Sequence, residues 1–168
     1  MTKSELQIEL EKFRDFVIEE AKKNLSRLGK DGGKLYDSIE GRVQANENSF
    51  EMEFSMEEYG IYQDKGVSGK KKRYNTPFKY ANTPPPPSAF DKWAVRKGIA
   101  PRKKGKFASR KSLQFALSRH IFNQGIYPSM FFTKPFEKAF KQLPDDLIEA
   151  FGLDAVKLFN ESIYLTEK

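Results

Sequence analysis

The feature of this chain that most constrains its fold is an apolar stripe near its start. Leu, Phe, Val and Ala side chains recur at spacings of three and four from Leu6 to Leu28, with acidic residues early, basic residues late and Gly29 directly afterwards. This spacing places the apolar side chains on one face of a helix, and the order of the charges complements the helix dipole. The segment therefore predicts one amphipathic helix, which needs an apolar surface to cover its stripe.

That surface is predicted downstream, where residues 41–57 have the pattern of a β-hairpin. Apolar Phe50, Met52, Phe54 and Met56 alternate with polar residues, and Asn46–Ser49 supply the turn. One face of the hairpin would meet the helix and the other would meet water. We therefore predict an α+β fold in which the N-terminal helix packs on a small antiparallel sheet, followed by C-terminal helices. The predicted core residues are Leu6, Leu10, Phe13, Val17, Phe50, Phe54, Tyr59, Phe132 and Phe136.

Charge is distributed unevenly along the 168 residues. Between Lys65 and Lys111 there are 15 Lys and Arg residues and a single acid, Asp91, for a net charge of +14, whereas the other 121 residues carry a net charge of −7. Clustered charge of this kind constrains partners more than fold, because its field attracts polyanions or an acidic protein surface to one face.

The basic middle of the chain also has the composition of a long excursion from the core. It contains four consecutive prolines, which favour extended polyproline geometry and cannot donate backbone hydrogen bonds. We predict a single α+β domain with a core formed by residues 1–66 and 127–143. The insertion, residues 67–126, would hold basic Pro-rich loops and two helices, and a C-terminal helix would span residues 145–164.

The candidate contact residues lie in that insertion. Three interpretations stay open for its basic runs: a surface for nucleic acid, helped by neighbouring aromatics such as Tyr74 and Tyr80; contacts to acidic faces of adjacent subunits; or solvated charge on exposed loops. The predicted partner-contacting or DNA-contacting residues are Lys70, Lys71, Lys72, Arg73, Arg102, Lys103, Lys104 and Lys106. The predicted interface loop consists of Pro84, Pro85, Pro86 and Pro87.

The sequence contains no convincing set of catalytic or metal-binding residues. The chain has no cysteine, and its one histidine, His120, falls on the stripe of a predicted helix. The acidic pairs 57–58 and 145–146 lie at the ends of elements, and Gly66–Lys70 lacks the glycine spacing of a phosphate-binding loop. We expect a non-enzymatic protein with no metal, cofactor or small-molecule substrate. No apolar run approaches the length of a membrane span, so a membrane partner is not expected.

Three stretches in a fixed order carry a resemblance to a known family. They are Leu35, Ser38 and Ile39 within Gly33–Ile39, then Tyr59 to Gly66, then Phe131 to Phe136. In this order, with a strand pair after the first, the chain resembles the tail-completion or neck proteins of tailed bacteriophages. Those proteins typically show G-x-L-x-x-S-I, Y-A-x-x-x-E-x-G-T and P-F-[LI]-x-P-A stretches. This chain departs from them in three places: residues 64–67 replace the Glu-x-Gly-Thr element, residues 68–126 form a much larger basic insertion, and a helix is added beyond Pro144.

The resemblance implies an α+β subunit of a ring in the head-tail connector, neck or tail-completion complex, joining the capsid portal to the tail. It also implies a virion location, with the host cytoplasm as the place of assembly. The implied partners are further copies of the chain, portal or connector proteins and tail proteins, with DNA in the channel as another contact. The alternative is a basic nucleic-acid-binding module that acts through the Lys- and Arg-rich loops.

Overall fold

The computed structural model describes residues 2–46, 49–96, 98–99, 102–103, 106–107 and 109–166. It divides into two compact units. Unit 1 comprises Met1–Asp64 and Met130–Lys168, and unit 2 comprises Lys65–Ser129. The limits of unit 2 lie close to the 67–126 limits predicted for the insertion.

The predicted N-terminal helix is confirmed as α1 (Lys3–Arg27). Thr2 and Glu5 form a reciprocal capping box: the Thr2 N–H donates to Glu5 Oε2 over 2.7 Å, and Thr2 Oγ1 accepts from the Glu5 N–H. Hydrogen bonding of the Glu5 carboxylate by the backbone and the side chain of Thr2 holds the pKa of Glu5 below its usual value. The helix ends before Leu28, which is exposed. Its buried stripe consists of Leu6, Leu10, Phe13, Val17, Ala21 and Leu25.

The predicted hairpin is confirmed as β1 (Glu40–Ala45) paired antiparallel with β2 (Phe50–Glu57). The Asn46 N–H donates to the Ser49 carbonyl over 2.8 Å across the turn. Helix α1 packs against β1, and a Cβ on Gly41 would lie 2.8 Å from Arg14 Cγ, so the glycine permits this close approach. The α+β fold with the N-terminal helix packed on a small sheet is thus correct.

The C-terminal segment differs from the single helix predicted over residues 145–164. It forms α7 (Asp145–Phe151), α8 (Ala155–Ser162) and strand β7 (Ile163–Thr166), which pairs parallel with β2. Gly152 adopts a left-handed conformation that ends α7, and the Asp154 side chain caps α8. Residues 163–166, which include β-branched and aromatic types, suit a strand. The sheet has the order β1-β2-β7.

The core of unit 1 is built on phenylalanines. Phe13 and Phe136 meet edge to face with ring centroids 5.1 Å apart, and Phe54 meets Phe132 in the same way at 5.3 Å. Phe159 of α8 joins this cluster although it is absent from the predicted core. Tyr59 was wrongly predicted to be buried: it opens helix α3 (Tyr59–Lys65) and its side chain is 48% exposed. Unit 1 also contains α2 (Lys34–Ser38) and α6 (Thr133–Phe140).

Unit 2 is organised around one longer helix, α5 (Arg110–Gln124), whose N-terminus is capped by Ser109. Strand β3 (Val67–Ser68) pairs antiparallel with β6 (Gly125–Ile126), which directly follows α5. A 3-10 turn (Pro87–Phe90) leads into α4 (Asp91–Arg96) and packs on α5. Strands β4 (Arg102–Lys103) and β5 (Lys106–Phe107) form a short hairpin.

Candidate functional site

Asp64 is a buried carboxylate that caps a helix distant from it in sequence. Its side chain is 1% exposed, and its Oδ1 accepts hydrogen bonds from the N–H groups of Phe132 and Thr133 over 2.8 and 3.1 Å. The Thr133 hydroxyl donates to the other carboxylate oxygen, Oδ2. The Asp64 carbonyl accepts from the Met130 N–H over 2.9 Å. Asp64 therefore satisfies the free N–H groups at the start of α6 and brings a negative charge to the positive end of that helix.

The cap of α6 is not the one that the local sequence suggests. Threonine is a common capping residue and proline is common in the first turn of a helix, so the local sequence suggests that Thr133 itself is the cap. Pro135 does lie in the first turn, but Thr133 is the first helical residue and its hydroxyl is a donor to Asp64. A local pattern could not reveal Asp64 as the cap, because the acceptor comes from another part of the chain.

The stretches that carry the family resemblance contact one another in unit 1. A Cβ placed on Gly60 would lie 2.8 Å from Leu35 Cδ1, so the first and second stretches are in close contact. The Glu57 N–H donates to Ser38 Oγ over 3.0 Å, which fixes α2 to the end of β2. Asp64, at the end of the second stretch, holds the third. We call this set of contacts the Asp64 junction.

In unit 2, the first predicted basic run forms a loop whose backbone is fixed to the C-terminus of α5. The Lys70 N–H donates to the Phe122 carbonyl over 2.9 Å, and the N–H groups of Lys71 and Lys72 donate to the Asn123 carbonyl over 2.9 and 3.2 Å. These carbonyls belong to the last turn of α5 and lack helical partners. We call residues 70–73 the lysine loop; its cations lie at the negative end of the α5 dipole.

Two glycines allow the backbones to approach this closely. A Cβ on Gly69 would lie 2.2 Å from the Asn123 carbonyl oxygen, and a Cβ on Gly125 would lie 2.1 Å from the Val67 carbonyl oxygen. Gly125 also has a φ of 74°. No L side chain fits at either position without a shift of backbone, so the sequence fixes the loop in place through its glycines.

The four side chains of the lysine loop are exposed, and those of Lys70 and Lys72 lie near aromatic rings. Lys70 Nζ lies 5.9 Å from the centre of the Phe122 ring, and Lys72 Nζ lies 5.5 Å from that of Tyr74. Tyr74 in turn meets Tyr127 edge to face at 5.8 Å, and Tyr127 is 71% exposed. Among the described residues, no ion pair involves Lys70, Lys71, Lys72 or Arg73.

The only acid in the sequence of unit 2 is Asp91, and it is already paired. Its two carboxylate oxygens accept from Arg110 Nε and a terminal nitrogen over 2.5 and 2.8 Å, and Gln114 Nε2 donates to Oδ1. Unit 2 has 16 Lys and Arg residues against this one acid, a net charge of +15, and the remainder of the chain has a net charge of −8. Asp91 therefore neutralises Arg110 and leaves the lysine loop uncompensated within its unit.

The other predicted contact residues are placed as follows. Pro84 and Pro86 are exposed, while Pro85 and Pro87 are half-buried. The Ser118 hydroxyl on α5 donates to the Pro85 carbonyl over 2.5 Å, so the proline segment packs along that helix. Arg102 pairs with Phe107, and Lys103 with Lys106, in the β4–β5 hairpin. Lys104 lies outside the described residues.

The sequence analysis did not identify Asp64. It also did not identify Phe122, Asn123 and Tyr127, which lie around the lysine loop. The lone acid in a basic segment was a usable signal for the Asp91 pair. His120 is exposed on α5. Within the described part of the chain, no group of three or more His, Cys, Asp or Glu residues could hold a metal ion, and no helix is long and apolar enough to cross a membrane.

Comparison of the chain with protein-family models, with curated proteins and with solved structures finds no match.

Proposed function

We propose that this chain is a structural virion protein, a subunit of a ring in the neck or tail-completion complex of a tailed phage. The observation that carries the proposal is the Asp64 junction. The stretches on which the family resemblance rests are far apart in sequence, yet they contact one another through Leu35, Gly60, Asp64 and Thr133. This convergence supports reading them as parts of one fold rather than as chance matches.

The charge of the two units supports assembly with further copies of the chain. A subunit that carries an acidic unit and a basic unit can place the basic unit of one copy against the acidic unit of the next. Repetition of such a head-to-tail contact about an axis produces a closed ring when the rotation between neighbouring copies closes on itself. The charges of −8 and +15 on the two parts of the sequence are of the signs that this contact needs.

Electron microscopy of the purified protein tests the proposal. We expect ring-shaped particles with a central opening, whose abundance falls as salt is added because the contact between copies is electrostatic. Particles of monomer size only, at low and at high salt alike, would count against a ring subunit.

A second candidate function is a nucleic-acid-binding module that acts without a ring. The exposed and uncompensated lysine loop favours it. A protein that stays monomeric and binds DNA with a steep salt dependence would support this candidate over the first.

A further inference from the structure

We infer that the lysine loop of unit 2 is a site for the phosphate backbone of nucleic acid. The exposed side chains of Lys71 and Arg73 are its principal contacts. The inference rests on the proposed function, in which unit 2 faces a partner, and it names the chemistry of that partner. It assigns the four cations of the loop to a polyphosphate, and the other Lys and Arg residues of unit 2 stay available for the acidic unit of the next copy.

The side-chain types in the loop favour phosphate over a protein surface. Three of its four residues are lysines, which act as hydrated point charges and are depleted from the buried centres of protein interfaces, where arginine and apolar anchors are enriched. Contacts between lysine and phosphate instead need only charge and release counterions from the nucleic acid. The loop therefore has the composition of a sequence-independent phosphate contact.

The backbone of the loop is set before any ligand arrives. The N–H groups of three consecutive lysines are bonded to α5, and Gly69 and Gly125 keep the crossing close. Binding then costs side-chain freedom but no ordering of the loop. A fixed row of cations is suited to the repeating charges of a phosphate backbone.

The contacts around the loop keep its charges available. Lys70 and Lys72 lie near the rings of Phe122 and Tyr74, which attract an ammonium group without neutralising it. Lys71 and Arg73 are exposed. Exposed Tyr127, next to Tyr74, adds an aromatic face beside the cations on which an unpaired base can stack.

The test is fluorescence anisotropy of a labelled duplex DNA, titrated with the full-length protein over a range of salt concentrations. The variant is Lys71→Gln/Arg73→Gln, which removes two exposed cations that contact no ring in the part of the chain that the structure describes. The matched control is Lys12→Gln/Lys23→Gln, which removes two cations from α1 that are paired with Glu9 and Glu20. Because these four residues are on the surface, both variants are expected to fold, which circular dichroism checks.

We expect the loop variant to bind the duplex about tenfold more weakly near 0.1 M salt and to lose about two from the slope of log K against log salt. The control variant has the same net charge, but its losses of affinity and of salt slope should each be less than half of those of the loop variant. Equal losses in both variants would overturn the site, because they would show an effect of net charge alone. Tighter binding of polyglutamate than of DNA would overturn it in favour of an acidic protein partner.

These outcomes are separable from those that test the ring. Rings that bind no DNA would overturn the phosphate site and leave the proposed function standing. A monomer whose DNA binding depends on Lys71 and Arg73 would support the phosphate site and contradict the ring.

Discussion

The N–H of Thr133 donates to Oδ1 of Asp64 over 3.1 Å, although the two residues are 69 positions apart in sequence. In the sequence, all of unit 2 lies between these two residues. The start of α6 and the end of α3 are therefore joined by a charged hydrogen bond inside unit 1. Hydrogen bonds to a buried charge are stronger than neutral ones, so the hydrogen bond between Asp64 and Thr133 contributes strongly to the stability of unit 1.

Replacing Asp64 should destabilise unit 1 strongly. Asp64→Ala leaves the N–H groups of Phe132 and Thr133 buried without an acceptor, so we expect the free energy of unfolding to fall by about 3 kcal/mol. Asp64→Asn retains an oxygen acceptor and should cost less than Asp64→Ala. Urea unfolding followed by circular dichroism measures both.

The control for Asp64 is Asp145→Ala, at the exposed first position of α7. It removes a carboxylate from a helix N-terminus without uncovering a buried donor, and should cost about 0.5 kcal/mol. If Asp64→Ala and Asp145→Ala lower the free energy of unfolding by similar amounts, Asp64 stabilises the fold no more than an exposed carboxylate does.

The close crossing of β3 and β6 predicts a severe effect at Gly125. Gly125→Ala puts a Cβ against the Val67 carbonyl and forces alanine into a conformation that glycine alone adopts readily, so we expect a loss of about 3 kcal/mol or more. Gly32→Ala shares a positive φ but meets no atom within 4 Å, and should cost about 1 kcal/mol. Thermal unfolding of the two variants compares strain with and without the clash; equal melting temperatures would contradict the crossing.

Unit 2 should lose stability at alkaline pH through Tyr80. Burial raises the pKa of Tyr80 above its ordinary value, so the fold favours the neutral phenol. The stabilisation is fully present below the unfolded pKa of about 10 and is lost as pH rises through the higher folded pKa. Tyr80→Phe keeps the ring near Phe122 and should weaken the alkaline fall in stability.

Urea unfolding between about pH 9 and pH 11 measures this dependence. Tyr127→Phe, at an exposed position, is the control and should retain the pH profile of the unaltered protein. A Tyr80→Phe profile identical to that of Tyr127→Phe would exclude Tyr80 as the source.

Unit 1 is expected to fold without unit 2. The Asp64 carbonyl already accepts from the Met130 N–H, so residues 65–129 can be replaced by a two-residue Asn-Gly turn that keeps this hydrogen bond. The shortened chain should unfold cooperatively and retain the helical signal of α1. A chain without a cooperative transition would show that the two units depend on each other for folding.

Sequence periodicity predicted those elements that have one buried face. The stripe of α1 and the alternation in β2 each mark a face that must be buried, and both faces meet in the structure. The lysine loop could be located from its charge. Its fixed backbone could not, because this depends on carbonyls of α5 that only the fold brings near.

The errors arose where tertiary contacts overrule local pattern. Tyr59 was predicted to be a core residue, but it opens α3 and is 48% exposed. The predicted helix ran to residue 164, but pairing with β2 makes residues 163–166 a strand. The role of Asp64 had no local signal, because a cap that comes from another element depends on the whole fold of unit 1.

We propose that this chain assembles into a closed ring, and the mass of the assembly in solution is the sharpest test of that proposal. Sedimentation velocity over a series of protein concentrations should show one large species whose mass is a fixed integer multiple of 19.4 kDa. That species should appear without intermediate sizes, because closing the ring adds a contact that open oligomers lack. A mass of 19.4 kDa at every concentration, or masses that grow without limit, would contradict the claim.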